Sequence, residues 1–200
     1  MMEKQAIKEA YQKFTVKDSK VEGVSGKSVP KGTRKDNSGV SEVKTFIDKG
    51  QQFTNGRKNR LKPDIRYKTG EYDYLYESDN LGRITKFETE NLKLTERKDR
   101  LSHSKNSPGK VKGQDHAEHL AGDRFGGSPK IDNLVSQLSD VNLKQYKKIE
   151  EEWAVALKET PPKKVTVNVD IIYSGSDMRP EKFKVIYTID GKRSSRVLEN

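Results

Sequence analysis

The chain has 200 residues, of which 30% are apolar, so it suits one domain with a hydrophobic core plus an extension that buries little surface. The absence of cysteine excludes disulfides and thiolate metal ligands, and no apolar run is long enough for a membrane span. The net charge of +10 favours a polyanionic partner, although a lysine-rich surface that only keeps a protein soluble gives the same balance.

The first part of the chain is predicted to be a loosely structured arm. Residues 3–14 carry apolar side chains at helical spacing, whereas residues 15–45 are rich in glycine, serine and lysine. A brief helix is predicted over 41–47, where Ser41 can cap the first turn. We therefore assign residues 1–60 to an N-terminal arm or linker with short helices and residues 61–200 to a folded domain.

From Tyr72 the apolar pattern changes to a period of two. Tyr72, Tyr74 and Tyr76 alternate with other residues, a turn sequence covers 78–82, and apolar side chains alternate again over 84–94. This pattern predicts a β-hairpin. The tyrosines could stack on bases, but a half-buried sheet face uses the same residues, and we favour that interpretation.

A basic segment covers residues 94–113, where Pro108 and Gly109 interrupt any regular element. It could guide phosphates to a site, and a solvated loop would have the same composition; its position before His119 favours the first interpretation. His103, isolated within this segment, is expected to be a surface residue. His116 and His119 have the i, i+3 spacing of a helical zinc pair, but no cysteine completes such a site, and we do not favour it.

The clearest predicted element is a helix that Asp140 or Asn142 can cap and that ends before Thr160. Alternating apolar residues after it predict strands over 165–171 and 183–189. Strands before and after one central helix predict an α+β fold built on an antiparallel β-sheet.

Residues 115–150 combine a histidine, amides, a carboxylate and glycines, the parts needed to cut a phosphodiester with one hydrated metal ion. Histidine suits the base that deprotonates water. Mg²⁺ takes oxygen ligands and keeps several waters, so one amide oxygen is sufficient protein ligation. Asn142 and Glu150 are separated by roughly 12 Å of helical rise. Glu150 therefore suits a role outside the inner coordination shell.

These residues resemble the DNA/RNA non-specific endonucleases of the ββα-metal (His-Me finger) class. Within that class they are similar to the C-terminal nuclease domains of bacterial polymorphic toxins, notably those exported by type VII secretion in Gram-positive bacteria. The resemblance runs from about Tyr72 to Tyr187. It is carried by Tyr76-Glu-Ser-Asp-Asn-Leu-Gly-Arg-Ile84, His119-Leu-Ala-Gly-Asp-Arg-Phe-Gly-Gly127, Asn133-Leu-Val-Ser-Gln137, Asn142, Glu150-x-x-Trp153-Ala154 and Arg179-Pro180.

The resemblance implies a role for each matching position. His119 is the general base, Asn142 is the metal ligand, and Glu150 is the carboxylate that binds the metal through water. The implied cofactor is Mg²⁺, or Mn²⁺ in its place.

Two further residues are candidates for binding substrate. Asn133 matches an amide near the site, and orienting the finger loop fits it better than chemistry. Arg124 could support phosphate binding, and a structural pair with Asp123 or another carboxylate is an equal alternative.

The implied fold is an antiparallel sheet with a ββα-metal finger and one main central helix, so that residues 61–200 form the nuclease domain after the arm. The implied function is Mg²⁺-dependent, sequence-nonspecific cleavage of DNA and RNA to 5′-phosphate ends. Such domains are secreted antibacterial effectors that act in the cytoplasm of a target cell and bind a cognate immunity protein. We expect no stable membrane insertion and no export signal within this chain.

One residue departs from the family pattern, in which glycine directly precedes the catalytic histidine. This chain has Glu118 there. Glycine permits a positive φ or a close backbone approach, and a carboxylate beside the metal alters its field. We therefore expect Glu118 to weaken or abolish activity. The alternative function is a catalytically silent module that binds nucleic acid or an immunity protein and keeps the nuclease fold.

Overall fold

The computed structural model describes residues 43–54 and 59–200, so the helix predicted over 3–14 and most of the predicted arm lie outside the described residues. The described strands are β1 (Thr45–Phe46), β2 (Ile65–Thr69), β3 (Tyr74–Ser78), β4 (Ile84–Thr89), β5 (Asp115–His119), β6 (Leu134–Leu138), β7 (Val165–Tyr173), β8 (Pro180–Ile189) and β9 (Lys192–Glu199). The main helix, α1 (Lys147–Leu157), continues directly from a π-helical turn over Val141–Tyr146.

Seven strands form one sheet in the order β1-β2-β3-β4-β7-β8-β9. The pairing of β1 with β2 is parallel, and each later pair of neighbours is antiparallel. β5 and β6 form a separate antiparallel ribbon that the π-helical turn and α1 follow in the chain. The predicted α+β fold with an antiparallel sheet and one main helix is therefore confirmed, as are the hairpin β3–β4 and strands β7 and β8.

Two local predictions are wrong. The brief helix expected over 41–47 is replaced at Thr45–Phe46 by β1, which pairs with Ile65 and Arg66. Residues of this β-branched and aromatic type extend readily when a neighbouring strand supplies hydrogen bonds, and the Ile47 N–H donates to the Arg66 carbonyl oxygen at 2.8 Å.

Neither side chain expected to cap the main helix does so. Asp140 caps no backbone N–H and instead pairs with Lys144 at 3.2 Å. Asn142 lies inside the π-helical turn. A π-helical turn carries one more residue per turn than an α-helix and often occurs at functional sites. Here the side chain of Asn142 contacts Glu118 instead of the helix backbone.

Trp153 fixes α1 against the rest of the core. Its side chain is fully buried and makes edge-to-face contacts with Phe125, Tyr146 and Tyr187, with ring centroids 5.9, 6.2 and 5.8 Å apart. These three rings belong to the loop after β5, the π-helical turn and β8. Trp153 thus packs α1 between the loop after β5 and the large sheet. Because Glu150 lies about one turn earlier on the same helix, this packing also fixes the position of its backbone.

The tyrosines of the predicted hairpin serve the core. Tyr74 and Tyr76 are buried, and Tyr76 stacks on Tyr67 and Phe87 with ring centroids 5.4 and 5.2 Å apart. The Tyr74 hydroxyl donates to the Phe125 carbonyl oxygen at 2.7 Å. The sheet-packing interpretation is therefore confirmed for these two residues.

A buried carboxylate connects the large sheet to the finger loop. Asp132 is 1% exposed and accepts hydrogen bonds from Gln52 at 2.8 Å, Thr69 at 2.7 Å and Ser128 at 2.6 Å. The Tyr67 hydroxyl also donates to its carbonyl oxygen at 2.6 Å. These contacts bring together the segment after β1, strand β2 and the loop that leads to β6.

Replacing Asp132 with alanine is expected to lower the free energy of unfolding by ~3 kcal/mol or more, because three buried donors lose one acceptor. Chemical denaturation followed by Trp153 fluorescence measures this change. The matched control is Asp140→Ala, which removes an exposed carboxylate and should change the value by less than ~0.5 kcal/mol. Equal values for the two variants would contradict the connecting role of Asp132.

Candidate active site

His119 is the last residue of β5 and pairs with Leu134 of β6. Side chains alternate along β5, so His119 is buried, with 5% of its surface exposed, whereas His116 is exposed. The zinc pair considered for these two histidines is therefore wrong, because residues three apart on a strand point to opposite faces.

Asn133 holds the loop that follows His119. Its Oδ1 accepts from the Tyr76 hydroxyl at 2.6 Å and from the Ala121 N–H at 2.9 Å. Its Nδ2 donates to the carbonyl oxygens of Ala121 at 2.9 Å and Ser128 at 2.8 Å. With 0% exposure and both amide atoms occupied, Asn133 is suited to orienting the loop rather than touching substrate.

Gly127 is required by the tightness of the same loop. A Cβ placed there would lie 1.8 Å from the Ala121 carbonyl oxygen and 2.8 Å from the Asn133 Nδ2 atom. Any side chain would therefore displace the backbone that follows His119. This explains the second glycine of the Phe-Gly-Gly motif by close backbone approach.

Three oxygen-bearing side chains converge near this loop from β5, the π-helical turn and α1. The Nδ2 atom of Asn142 donates a hydrogen bond to Oε2 of Glu118. Oε1 of Glu150 accepts from the Gly122 N–H at 3.2 Å. Asn142 is 7% exposed and Glu150 is 8% exposed, so both lie inside the protein.

The charge on these carboxylates is poorly compensated by the protein. Burial and, to a smaller extent, the charge of Glu118 together raise the pKa of Glu150 to about 8, against opposing effects of Arg124 and the Gly122 N–H. Burial also raises the pKa of Glu118, against the hydrogen bond from Asn142. Buried carboxylates that resist ionisation beside one another are stabilised by a cation. An amide and carboxylates supply the oxygen ligands that Mg²⁺ and Mn²⁺ take, so these residues fit such an ion.

The position of Glu118 does not depend on an unusual backbone. It lies in the extended strand β5, paired with Val135, whereas the described non-glycine residues with positive φ are Asp64, Asp73 and Asp190. A need for positive φ therefore does not explain why glycine is expected before the histidine. What distinguishes Glu118 is its side chain, which reaches Asn142.

His119 is held in the form that accepts a proton. Burial and, to a smaller extent, His103 and Arg100 together lower its pKa to about 4, against the opposing effect of Asp123. The imidazole is therefore neutral at neutral pH, as a general base must be.

His103 is not the isolated surface residue expected from the sequence. Its ring lies against that of His119, with centroids 4.5 Å apart and the planes inclined by 71°. The two residues are 16 positions apart, with His103 inside the basic segment and His119 after it, and no periodic pattern links them. Sequence reasoning missed this contact because only the folded loop creates it.

Arg124 pairs with a carboxylate, which was one of the two roles predicted for it, the other being phosphate binding. Its guanidinium donates to Glu151 at 2.8 Å, while Asp123 is bound by Arg97 at 3.0 Å. Glu151 is largely exposed, so the pair with Arg124 is weak and could open for a phosphate. In the basic segment the exposed cations are Lys98, Arg100, Lys105 and Lys112.

Residues 63–191 match the family model of the DNA/RNA non-specific endonucleases. The chain belongs to this family. The match covers well over half of the sequence and includes β2 through β8, so it contains every candidate site residue discussed above. The expected class of enzyme, an endonuclease, is therefore confirmed.

Similar proteins extend this picture. The type VII secretion system protein EssD of Staphylococcus aureus, in strains USA300 and Newman, is 34% identical to this endonuclease over 166 residues. The aligned part is 78% of this chain and 26% of the relative, so the chain spans about a quarter of the length of the curated relatives it matches.

Solved nuclease structures are also similar. Sda1 nuclease with bound zinc ion has a TM-score of 0.39 at 24% identity, covering 44% of this chain and 40% of its own. NucA from Streptococcus agalactiae with magnesium ion bound has a TM-score of 0.48 at 15% identity, covering 71% and 78%. Within the described part of this endonuclease, no helix is both long enough and apolar enough to cross a membrane.

Proposed function

We propose that this chain is a Mg²⁺-dependent, sequence-nonspecific endonuclease for DNA and RNA, in which His119 is the general base and Asn142 the metal ligand. The observation that carries the proposal is the buried, neutral imidazole of His119 at the end of β5, on the same ribbon as Glu118, which contacts Asn142. Mn²⁺ could replace Mg²⁺ because both take oxygen ligands.

In the proposed reaction His119 accepts a proton from the water whose oxygen attacks phosphorus, the bond from phosphorus to the 3′-oxygen on the opposite side breaks, and the leaving oxygen takes up a proton from solvent water. Cleavage then leaves a 5′-phosphate end. Asn142 would hold the ion directly and Glu150 through water, and the bound ion would offset charge on the phosphate and leaving oxygen. Glu150 is kept in place by the Gly122 N–H. Arg124 would bind phosphate when its exposed pair with Glu151 opens.

The absence of sequence preference follows from the kind of contacts proposed. Arg124 and the exposed cations of the basic segment interact with phosphates, which carry no base identity. A site that contacts neither base edges nor the 2′-hydroxyl accepts both DNA and RNA.

The similarity to EssD supports a biological setting for this activity. We propose that residues 61–200, together with β1 and Gln52, which pack against them, form the nuclease domain of a protein exported by type VII secretion. The domain would act as an antibacterial toxin in the cytoplasm of a target cell. A producing cell must protect its own nucleic acid, so the proposed protein partner is a cognate immunity protein.

The contact between Glu118 and Asn142 favours a second candidate function. If this hydrogen bond from the Asn142 Nδ2 atom permanently holds the amide in an orientation in which its Oδ1 atom does not reach the ion, the chain would be a catalytically silent module that binds nucleic acid or the immunity protein. The active endonuclease and the silent module have the same fold, and they differ in whether the chain cleaves nucleic acid.

Digestion of plasmid DNA and of a structured RNA with Mg²⁺, with Mn²⁺ and with EDTA separates the two candidates. We expect cleavage of both nucleic acids with either ion and none with EDTA, because the chain's own donors do not replace the cation. Products should bear 5′-phosphates, which ligation without prior phosphorylation detects. No cleavage in any reaction, together with retained DNA binding in a gel-shift assay, would support the silent module.

A further inference from the structure

We propose that His103 is a positioning residue for His119, whose ring it holds by edge-to-face packing. This inference rests on the proposed function, in which His119 is the base. The two ring centroids are 4.5 Å apart and the planes are inclined by 71°. At this distance the rings are in contact, and rotation of the His119 ring about its Cβ–Cγ bond would disturb the packing.

The ring of His103 is itself fixed. Its Nδ1 atom lies 2.8 Å from the Ser104 carbonyl oxygen. A carbonyl oxygen only accepts, so Nδ1 carries the proton and donates this bond. The Ser104 hydroxyl donates to the Asn106 carbonyl oxygen at 3.1 Å and accepts from the Asn106 N–H at the same distance. The imidazole of His103 therefore projects from a locally ordered turn.

A general base needs a partner that sets the orientation of its ring, and a carboxylate often has this role. Asp123 is the carboxylate that acts electrostatically on His119. Its Oδ1 atom, however, accepts from Arg97 at 3.0 Å and from the Leu101 N–H at 3.3 Å. Asp123 thus anchors the basic segment through Arg97 and Leu101, and this places His103, two residues further along, against the His119 ring. The His119 ring is therefore oriented by packing against His103, in place of a hydrogen bond to a carboxylate.

His103→Ala and His103→Phe distinguish packing from chemistry at the imidazole nitrogens. Alanine removes the contact, and we expect kcat for plasmid cleavage with Mg²⁺ to fall ~10- to 100-fold with KM nearly unchanged, as for a misplaced reacting group. Phenylalanine keeps an aromatic ring, so it should retain most of kcat. His116→Ala, an exposed histidine on the same strand as His119, is the matched control and should resemble the unmodified chain.

NMR of the histidine rings in metal-free protein tests whether His103 positions His119 without measuring cleavage. The His119 signal is assigned as the one that disappears in His119→Ala. We expect His103→Ala to shift this signal and to raise the pKa of His119 towards the ordinary histidine value. His103→Phe should leave the pKa low because burial is kept.

Each result decides the inference. An unchanged His119 signal and kcat in His103→Ala would overturn it, and so would a loss in His103→Phe as large as that in His103→Ala, because the nitrogens would then be essential. If the unmodified chain cleaves nothing, the proposed function fails, but the NMR comparison still tests whether His103 positions His119.

Discussion

Replacement of His119 with alanine is expected to lower the rate of DNA and RNA cleavage by roughly 10²- to 10⁴-fold, the contribution typical of a general base. The imidazole is buried at the end of β5 and its pKa of about 4 keeps it neutral at neutral pH. The described carboxylates nearby are poor substitutes. Glu118 contacts Asn142, Glu150 is held by the Gly122 N–H, and Asp123 is bound by Arg97.

The measurement is initial-rate nicking of supercoiled plasmid at saturating Mg²⁺, with His116→Ala as the control for loss of a histidine from the same strand. Circular dichroism and thermal unfolding should show that His119→Ala keeps the fold, because the loop after His119 is held by the four hydrogen bonds of the Asn133 amide. A His119→Ala protein that is folded and cleaves at the normal rate would show that another group deprotonates the water.

Much of the fold could be predicted because its patterns are local. The alternation in β3 and β4, the turn between them, and the repeat along α1 each occupy one short stretch of chain. β1 could not be predicted, since two residues become a strand only when Ile65 and Arg66 lie beside them. The π-helical turn over Val141–Tyr146 follows an ordinary helical pattern in the sequence, and the tertiary contact of Asn142 with Glu118 distinguishes it.

At the site, too, the sequence indicates which residue types are present but not which residues they contact. A histidine, an amide and a carboxylate in order were enough to predict a hydrolytic site and to name its candidate residues, whose roles stay predictions. Their partners depend on loops that approach from elsewhere, as with His103 on His119 and Arg124 on Glu151. The unusual residue, Glu118, was visible in the sequence, but its effect depends on where its side chain points.

Replacement of Glu118 with glycine, the residue expected there from the family resemblance, is expected to raise the cleavage rate by ~10- to 100-fold. In the present chain the Glu118 carboxylate accepts a hydrogen bond from Asn142, the proposed metal ligand. A hydrogen bond to a charged group contributes about 1.5–3 kcal/mol. That energy opposes any reorientation of the Asn142 amide towards the ion, and each ~1.4 kcal/mol corresponds to a tenfold change in rate.

Alanine and glutamine at the same position identify which property of Glu118 is responsible. Because Glu118 lies in extended backbone opposite Val135, alanine should restore activity as well as glycine does. Activity with glycine alone would instead point to a close backbone approach by substrate. Glutamine keeps the side-chain length and can still accept a hydrogen bond from Asn142, but it carries no charge. A low rate with glutamine would attribute the effect to the hydrogen bond with Asn142, and a high rate would attribute it to the charge of Glu118.

The comparison uses plasmid nicking by the four proteins at equal concentration, across a range of Mg²⁺ concentrations. If the Glu118 contact competes with the ion, the unmodified chain should need more Mg²⁺ for half-maximal rate than the glycine and alanine variants. Equal rates and equal Mg²⁺ dependence in all four proteins would sink the attenuating role. Glycine within a paired strand costs about 0.5–1 kcal/mol of stability. Alanine avoids that cost, so a gain in rate with both glycine and alanine, but not with glutamine, would assign the attenuation to the contact between Glu118 and Asn142.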